Sequence, residues 1–183
     1  MTTKKRVMVF IDGSNHYHIV KDRFKSKQKS MNFDFEMFVK DLVGDRELIR
    51  IYYYSAPLDR KKDEETYMKQ QRFFDTLRRI PNFNLILCRM QKVRIDGKEI
   101  YQVKEDDINL AVDMVKLAFN NAYDTAILVS SDGDFNPAVR AVKEIGKNVE
   151  NVGFETKFSY HLKRECDRFR MLSKEEVKKF FKD

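Results

Sequence analysis

The chain has 183 residues, 42% of them apolar and 13% aromatic, with fifteen Phe and no Trp, which suits one domain with a buried core and excludes disorder over most of the length. Three Pro and six Gly exclude a collagen-like or linker-like chain. A net charge of +7 favours a polyanionic partner, nucleic acid first, through a phosphate attraction that is independent of sequence; a solvated, Lys-rich surface would produce the same balance.

In chain order, residues 6–11 (RVMVFI) read as a buried strand that stops at Asp12. Gly13, Ser14 and Asn15 come next, residues suited to a turn and a helix start. Helices are expected over 14–24 and 34–43, then a second strand over 47–56, rich in β-formers, and a helix over 60–79. Residues 83–95 read as a third strand, continuing across the Asp96-Gly97 turn into a hairpin extension. A helix over 106–121 leads to a fourth strand at 125–130, a helix at 135–145 and a weaker fifth strand at 147–154. Two helices close the pattern, over 159–171 and 174–182, the second opened by the capping-box pair Ser173 and Glu176.

Strands alternating with helices imply βαβ units, hence an α/β fold. The expectation is a three-layer α/β/α sandwich with a mostly parallel, Rossmann-like central sheet. Strand one should be interior, because it is apolar on both faces. Residues 1–183 are expected to form a single domain with the C-terminal helices 159–183 packed on it. In such sheets ligands bind beyond the carboxyl ends of the strands, which is where Asp12 lies.

The fourth strand repeats the device. Ala126 to Val129 are apolar, Ser130 and Ser131 polar, and Asp132, Gly133 and Asp134 come after them. A single Asp could merely cap the next helix, but capping accounts for only one of Asp132 and Asp134. On the helix at 106–121, a turn of 100° per residue gathers Asp106, Asn109, Asp113, Lys116 and Asn120 on a polar face. Ile108, Ala111, Met114, Val115, Ala118 and Phe119 gather on an apolar one, with Asp107 in the apolar sector. A carboxylate there is costly unless paired or holding a cation, whereas Asp113 reads as solvated beside Lys116. Asp12, Asp107, Asp132 and Asp134 should therefore converge. Hard oxygen ligands without His or Cys suit Mg²⁺ or Mn²⁺ rather than zinc, and a carboxylate-bound divalent cation is a standard means of hydrolysing a phosphodiester.

At these residues the sequence resembles the NYN domain family of the PIN-like nuclease superfamily, especially its LabA-like branch. The matching stretches are FIDGSN (10–15), KEDDINLAVDM (104–114), LVSSDGDFNPAV (128–139) and VGF (152–154), over roughly residues 5–172. The resemblance implies a PIN-like fold and metal-dependent RNA cleavage, with catalytic and metal-binding roles for Asp12, Asp107, Asp132 and Asp134. It implies supporting roles for Asn15 and Asp113. The family often reads Lys-Gly-Val-Asp where this chain has Lys104-Glu105-Asp106-Asp107, so Asp106 and Asp107 compete for one ligand position; the helical face favours Asp107. Ser131 stands where Gly is common.

Other features carry less. Cys88 and Cys166 lack Cys-x-x-Cys context and read as reduced, packed thiols. His16 and His18 are too close along a helix to share a metal, although His16 could approach substrate. Arg89, Lys92, Arg94 and Lys98 on the hairpin, with Lys163, Arg164, Arg168 and Arg170, could wall a nucleic-acid groove. No stretch suits a signal peptide or a membrane span, so a cytoplasmic protein without membrane association is expected, RNA its favoured partner and a homodimer left open. Two alternatives stand beside the ribonuclease. One is a nucleic-acid-binding or regulatory module with a vestigial site. The other is a haloacid-dehalogenase-type phosphatase, disfavoured because Ser14 occupies the place of its second Asp.

Overall fold

The computed structural model describes residues 3–24, 32–61, 63–95 and 98–182, with the backbone alone at 23–24, 90–95 and 98–104. The chain runs β1 (Arg6–Asp12), α1 (Gly13–Phe24), α2 (Phe35–Val43), β2 (Glu47–Ser55), α3 (Glu64–Arg78), β3 (Phe83–Leu87), β4 (Arg89–Ile95) and β5 (Lys98–Lys104). It continues through α4 (Asp106–Phe119), β6 (Thr125–Val129), a 3₁₀ turn (Gly133–Phe135), α5 (Asn136–Glu144), β7 (Asn148–Phe154), α6 (Tyr160–Glu165), β8 (Arg168–Leu172) and α7 (Lys174–Lys178).

Six strands form one sheet in the order β3-β2-β1-β6-β7-β8, and every neighbouring pair is parallel. β1 is interior, as its two-sided apolarity requires. Val7, Val9 and Ile11 face one core layer with Phe35, Phe38, Phe74 and Leu77 from α2 and α3. Met8 and Phe10 face the other layer with Leu110, Met114, Val139 and Val142 from α4 and α5. Helices therefore cover both faces, and each parallel step runs in the same direction, so β1 and β6 end at one edge of the sheet.

Two elements differ most from the sequence reading. The strand expected over 83–95 breaks at Cys88. Leu87 is the last residue in register with β2, opposite Ser55, and beyond it the chain leaves the sheet to pair β4 with β5 as an antiparallel ribbon. The Asp96-Gly97 turn lies outside the described residues. The helix expected over 159–171 ends at Glu165, and Arg168–Leu172 becomes the sixth strand. Charges at alternate positions of an edge strand look like a solvated helix to a local pattern, and pairing with β7 decides the outcome. No described helix is long and apolar enough to cross a membrane.

Candidate functional site

Asp12 is the last residue of β1 and stands opposite Tyr54 of β2. The turn into α1 needs a glycine next: a Cβ on Gly13 would lie 2.4 Å from the Tyr53 ring and 2.5 Å from the Tyr54 carbonyl oxygen. Asp12 is 4% exposed. Its Oδ1 accepts the Asn15 backbone N–H at 2.9 Å, capping α1, and its Oδ2 accepts the Ser130 hydroxyl at 2.9 Å. Asp12 therefore caps α1 and is also bonded to the end of β6. Asn15 ties the ends of β1 and β6 together: its Oδ1 accepts the Ser131 N–H at 3.1 Å.

Ser130 is the first polar residue after β6 and joins the two ends a second time. Its hydroxyl oxygen accepts the Asp132 N–H at 3.1 Å while donating to Asp12. Its carbonyl accepts from the buried Asn151 amide of β7 at 2.9 Å, and the same amide reaches the Leu128 carbonyl at 3.0 Å. The sequence reading missed Ser130 as a partner of Asp12; its place two residues before Asp132 was the available signal. Asp132 itself turns Oδ1 back to the Asp134 N–H at 2.9 Å, capping the 3₁₀ turn.

From α4 come two carboxylates. Asp12, Asp106 and Asp107 each offer one oxygen, and these three atoms lie within 4.8 Å of one another. This geometry corrects the helical-face assignment. Asp106 is 8% exposed and heads the buried row Leu110, Met114 and Ala118, while Asp107 lies at the open side. Ile108 (66% exposed) and Phe119 (78% exposed), placed on the core side by periodicity, face outward. Apolar residues surround most of α4, so the pattern could not specify which sector the sheet would cover. Both Asp106 and Asp107 reach the cluster, and Asp106 is fixed there by the Ser14 hydroxyl at 3.0 Å.

The electrostatics are set by that crowding. Burial pushes the Asp12 carboxyl up to about 7, against the pull of the Asn15 and Ser130 hydrogen bonds, and the charges of Asp107 and Asp106 push in the same direction as burial. Asp107 is raised to about 6, first by partial desolvation, then by the charges of Asp106, Asp132 and Asp134. Asp132 and Asp134 thus lie close enough to act on Asp107, although the tight three-oxygen group does not include them. Crowded, partly dehydrated carboxylates repel until a proton or a cation neutralises them. With only oxygen donors, the group fits a hard divalent cation.

The remaining expectations divide. Asp113 stands away from the cluster, bound by Lys116 at 2.5 Å and by the Tyr54 hydroxyl at 3.0 Å. His16 is not an approach to substrate: it is 1% exposed, packed among Phe33, Phe35, Phe38 and Phe154. Burial drives its imidazole down to about 3. Arg89 pairs with Glu105, while the side chains of Lys92, Arg94 and Lys98 lie outside the described residues. Arg168 and Arg170 are engaged by Glu150 (3.8 Å) and Asp41 (2.8 Å). They stand on the sheet face of α2 and do not join Lys163 and Arg164.

A six-stranded parallel sheet with helices on both faces defines an α/β protein, and its acidic group lies beyond the central strands at the carboxyl edge, where ligands bind in sheets of this kind. The NYN domain profile matches residues 6–173, and the chain belongs to that family, whose fold is that of PIN-like nucleases. Over 61 residues it is 44% identical to the uncharacterized protein MJ0482 of Methanocaldococcus jannaschii, a match covering 33% of this chain and 25% of that one. The chain thus spans about a quarter of that relative's length. Among solved structures, the protein of unknown function VPA0982 from Vibrio parahaemolyticus has the same fold, with a TM-score of 0.72 at 24% identity, covering 95% of this chain and 96% of the other.

Proposed function

We propose that the chain is a divalent-metal-dependent nuclease that hydrolyses phosphodiester bonds, with RNA as the favoured substrate. The observation that carries this reading is the meeting of Asp12, Asp106 and Asp107 oxygens within 4.8 Å, in a member of the NYN family. Asp12, Asp106 and Asp107 would hold Mg²⁺ or Mn²⁺, with Asp132 and Asp134 contributing from the β6 side. Bound there, such a cation lowers the pKa of a water and neutralises charge on the phosphate. The protein's own part is to orient Asp12 through the Asn15 N–H and the Ser130 hydroxyl, whose hydrogen bonds favour its ionised form against the opposing effect of burial. The Ser14 hydroxyl fixes the orientation of Asp106. Partners of this kind orient metal ligands.

Cleavage of labelled RNA and of DNA of the same sequence, with Mn²⁺ or Mg²⁺ and then with EDTA, tests the proposal. Activity that appears with the metal, vanishes on chelation and favours RNA supports it. Cleavage unaffected by EDTA, or none with either metal, ends it.

A further inference from the structure

The loop after β7 and the short helix α6 adjoin the acidic turn directly. The Ser131 hydroxyl donates to the Lys157 carbonyl at 2.6 Å. A Cβ on Gly133 would lie 3.1 Å from the Ser159 hydroxyl and 3.9 Å from the His161 ring. Between those two residues, Tyr160 stands 63% exposed, and the Arg164 guanidinium lies over its ring at 5.9 Å. Beside it, Phe158 rests on Phe169 with centroids 5.8 Å apart, and the Lys163 ammonium covers both rings at 5.8 and 5.5 Å.

This surface is built into the fold. A Cβ at Gly153 would meet the Phe158 Cβ at 2.8 Å and the Phe169 ring at 3.0 Å, so the VGF motif leaves room for the loop to lie flat on the sheet. Two carboxylates, at the end of α6 and just after it, are paired with cations of α5: Glu165 binds Arg140 at 3.0 Å, and Asp167 binds Lys143 at 3.5 Å. An exposed aromatic ring with cations beside it, flanked in the chain by two residues that adjoin the acidic turn, has the chemistry of a single-strand platform. Unpaired bases stack on rings, while cations track the phosphates. A duplex buries its base faces and cannot use the ring.

Resting on the nuclease reading of the acidic site, we infer that Tyr160, with Arg164 and Lys163, forms a stacking and phosphate-binding subsite that receives a single nucleic-acid strand next to the Asp132–Asp134 turn.

The test is fluorescence anisotropy of a labelled ten-nucleotide RNA with the whole protein in EDTA, where binding is read without cleavage. Base stacking on an aromatic side chain is worth about 5- to 150-fold in affinity, so Tyr160→Ala should weaken binding roughly tenfold while Tyr160→Phe stays near the wild type. Arg164→Ala should weaken binding and flatten its salt dependence. Equal affinities of wild type and Tyr160→Ala overturn the inference. So does a duplex of the same sequence that binds as tightly and is equally sensitive to Tyr160. Capture of phosphatidylserine vesicles with no RNA bound also overturns it, since the surface would then serve a membrane. Tyr160-dependent binding in a protein that never cleaves would refute the nuclease reading and leave the subsite standing. Metal-dependent cleavage with Tyr160-independent binding would do the reverse.

Discussion

Asp12 leaves β1 into a pocket where it is 4% exposed and accepts two hydrogen bonds. Asp132, at the corresponding end of β6, enters a half-open loop and gives one oxygen to its own turn. Both strand ends deliver a carboxylate to one edge, but only the first delivers it to the three-oxygen group formed with α4. The difference lies in the residues at the exit of each strand. Gly13 lets α1 begin immediately under the Tyr53 ring, whereas Ser130 and Ser131 extend the β6 end by two polar residues before its Asp. One carboxylate becomes a buried floor and the other a rim.

That contrast can be broken most sharply by substitution. Asp12→Asn should lower metal-dependent cleavage by on the order of 10³-fold, because it removes a floor ligand, while the metal-free protein melts at a higher temperature near pH 8 as repulsion with Asp106 and Asp107 is relieved. Asp132→Asn should lower cleavage by a smaller factor, on the order of 10–100-fold. Single-turnover rates of the two variants beside their melting curves make the comparison, and equal losses would mean that rim and floor act as one unit.

Ser130→Ala comes next. It removes the hydroxyl shared by the two strand ends, and loss of such an orienting partner typically costs 10–100-fold in metal affinity or activity. Titration of the metal-free protein with Mn²⁺ by calorimetry should show weaker binding with the fold intact; unchanged affinity would place the hydroxyl outside the site's function.

The pH dependence sharpens the same contrast. Folded, metal-free Asp12 holds its proton to about 7, while an unfolded aspartate loses it near ~3.9. Between those values the native state binds more protons, so Asp12's contribution to stability is full below about pH 4 and is lost as pH rises toward about 7. His16 acts oppositely. Its folded value of about 3, against ~6.5 unfolded, makes its contribution full above about pH 6.5 and lost as pH falls. The two partly cancel in a raw profile, and the difference in melting temperature between Asp12→Asn and wild type isolates the first. That difference should widen from pH 4 to 7 without metal and close when Mn²⁺ is added.

The smallest effect belongs to Asp113, held by Lys116 and Tyr54 away from the acidic group. Asp113→Asn should change cleavage by less than about threefold, an effect expected of a partner to an exposed ion pair. A loss as deep as that of Asp12→Asn would extend the site along α4.

Local pattern by itself determined the parallel α/β architecture and the placing of Asp12, Asp132 and Asp134 at strand ends. Two-sided apolarity of residues 6–11 and 125–130 is the signature of a central parallel strand, and the polar residues after each run must leave the sheet. Tertiary structure decided which carboxylates meet. Apolar side chains surround most of α4, so only docking onto β1 and β2 could bury Asp106 with Leu110 and leave Ile108 outside. It likewise made Arg168–Leu172 a strand, because an open edge at β7 was there to pair with. Burial of His16 among phenylalanines distant in sequence also depended on it. A spacing rule reads one chain segment at a time, whereas burial and charge crowding depend on which segments are brought together.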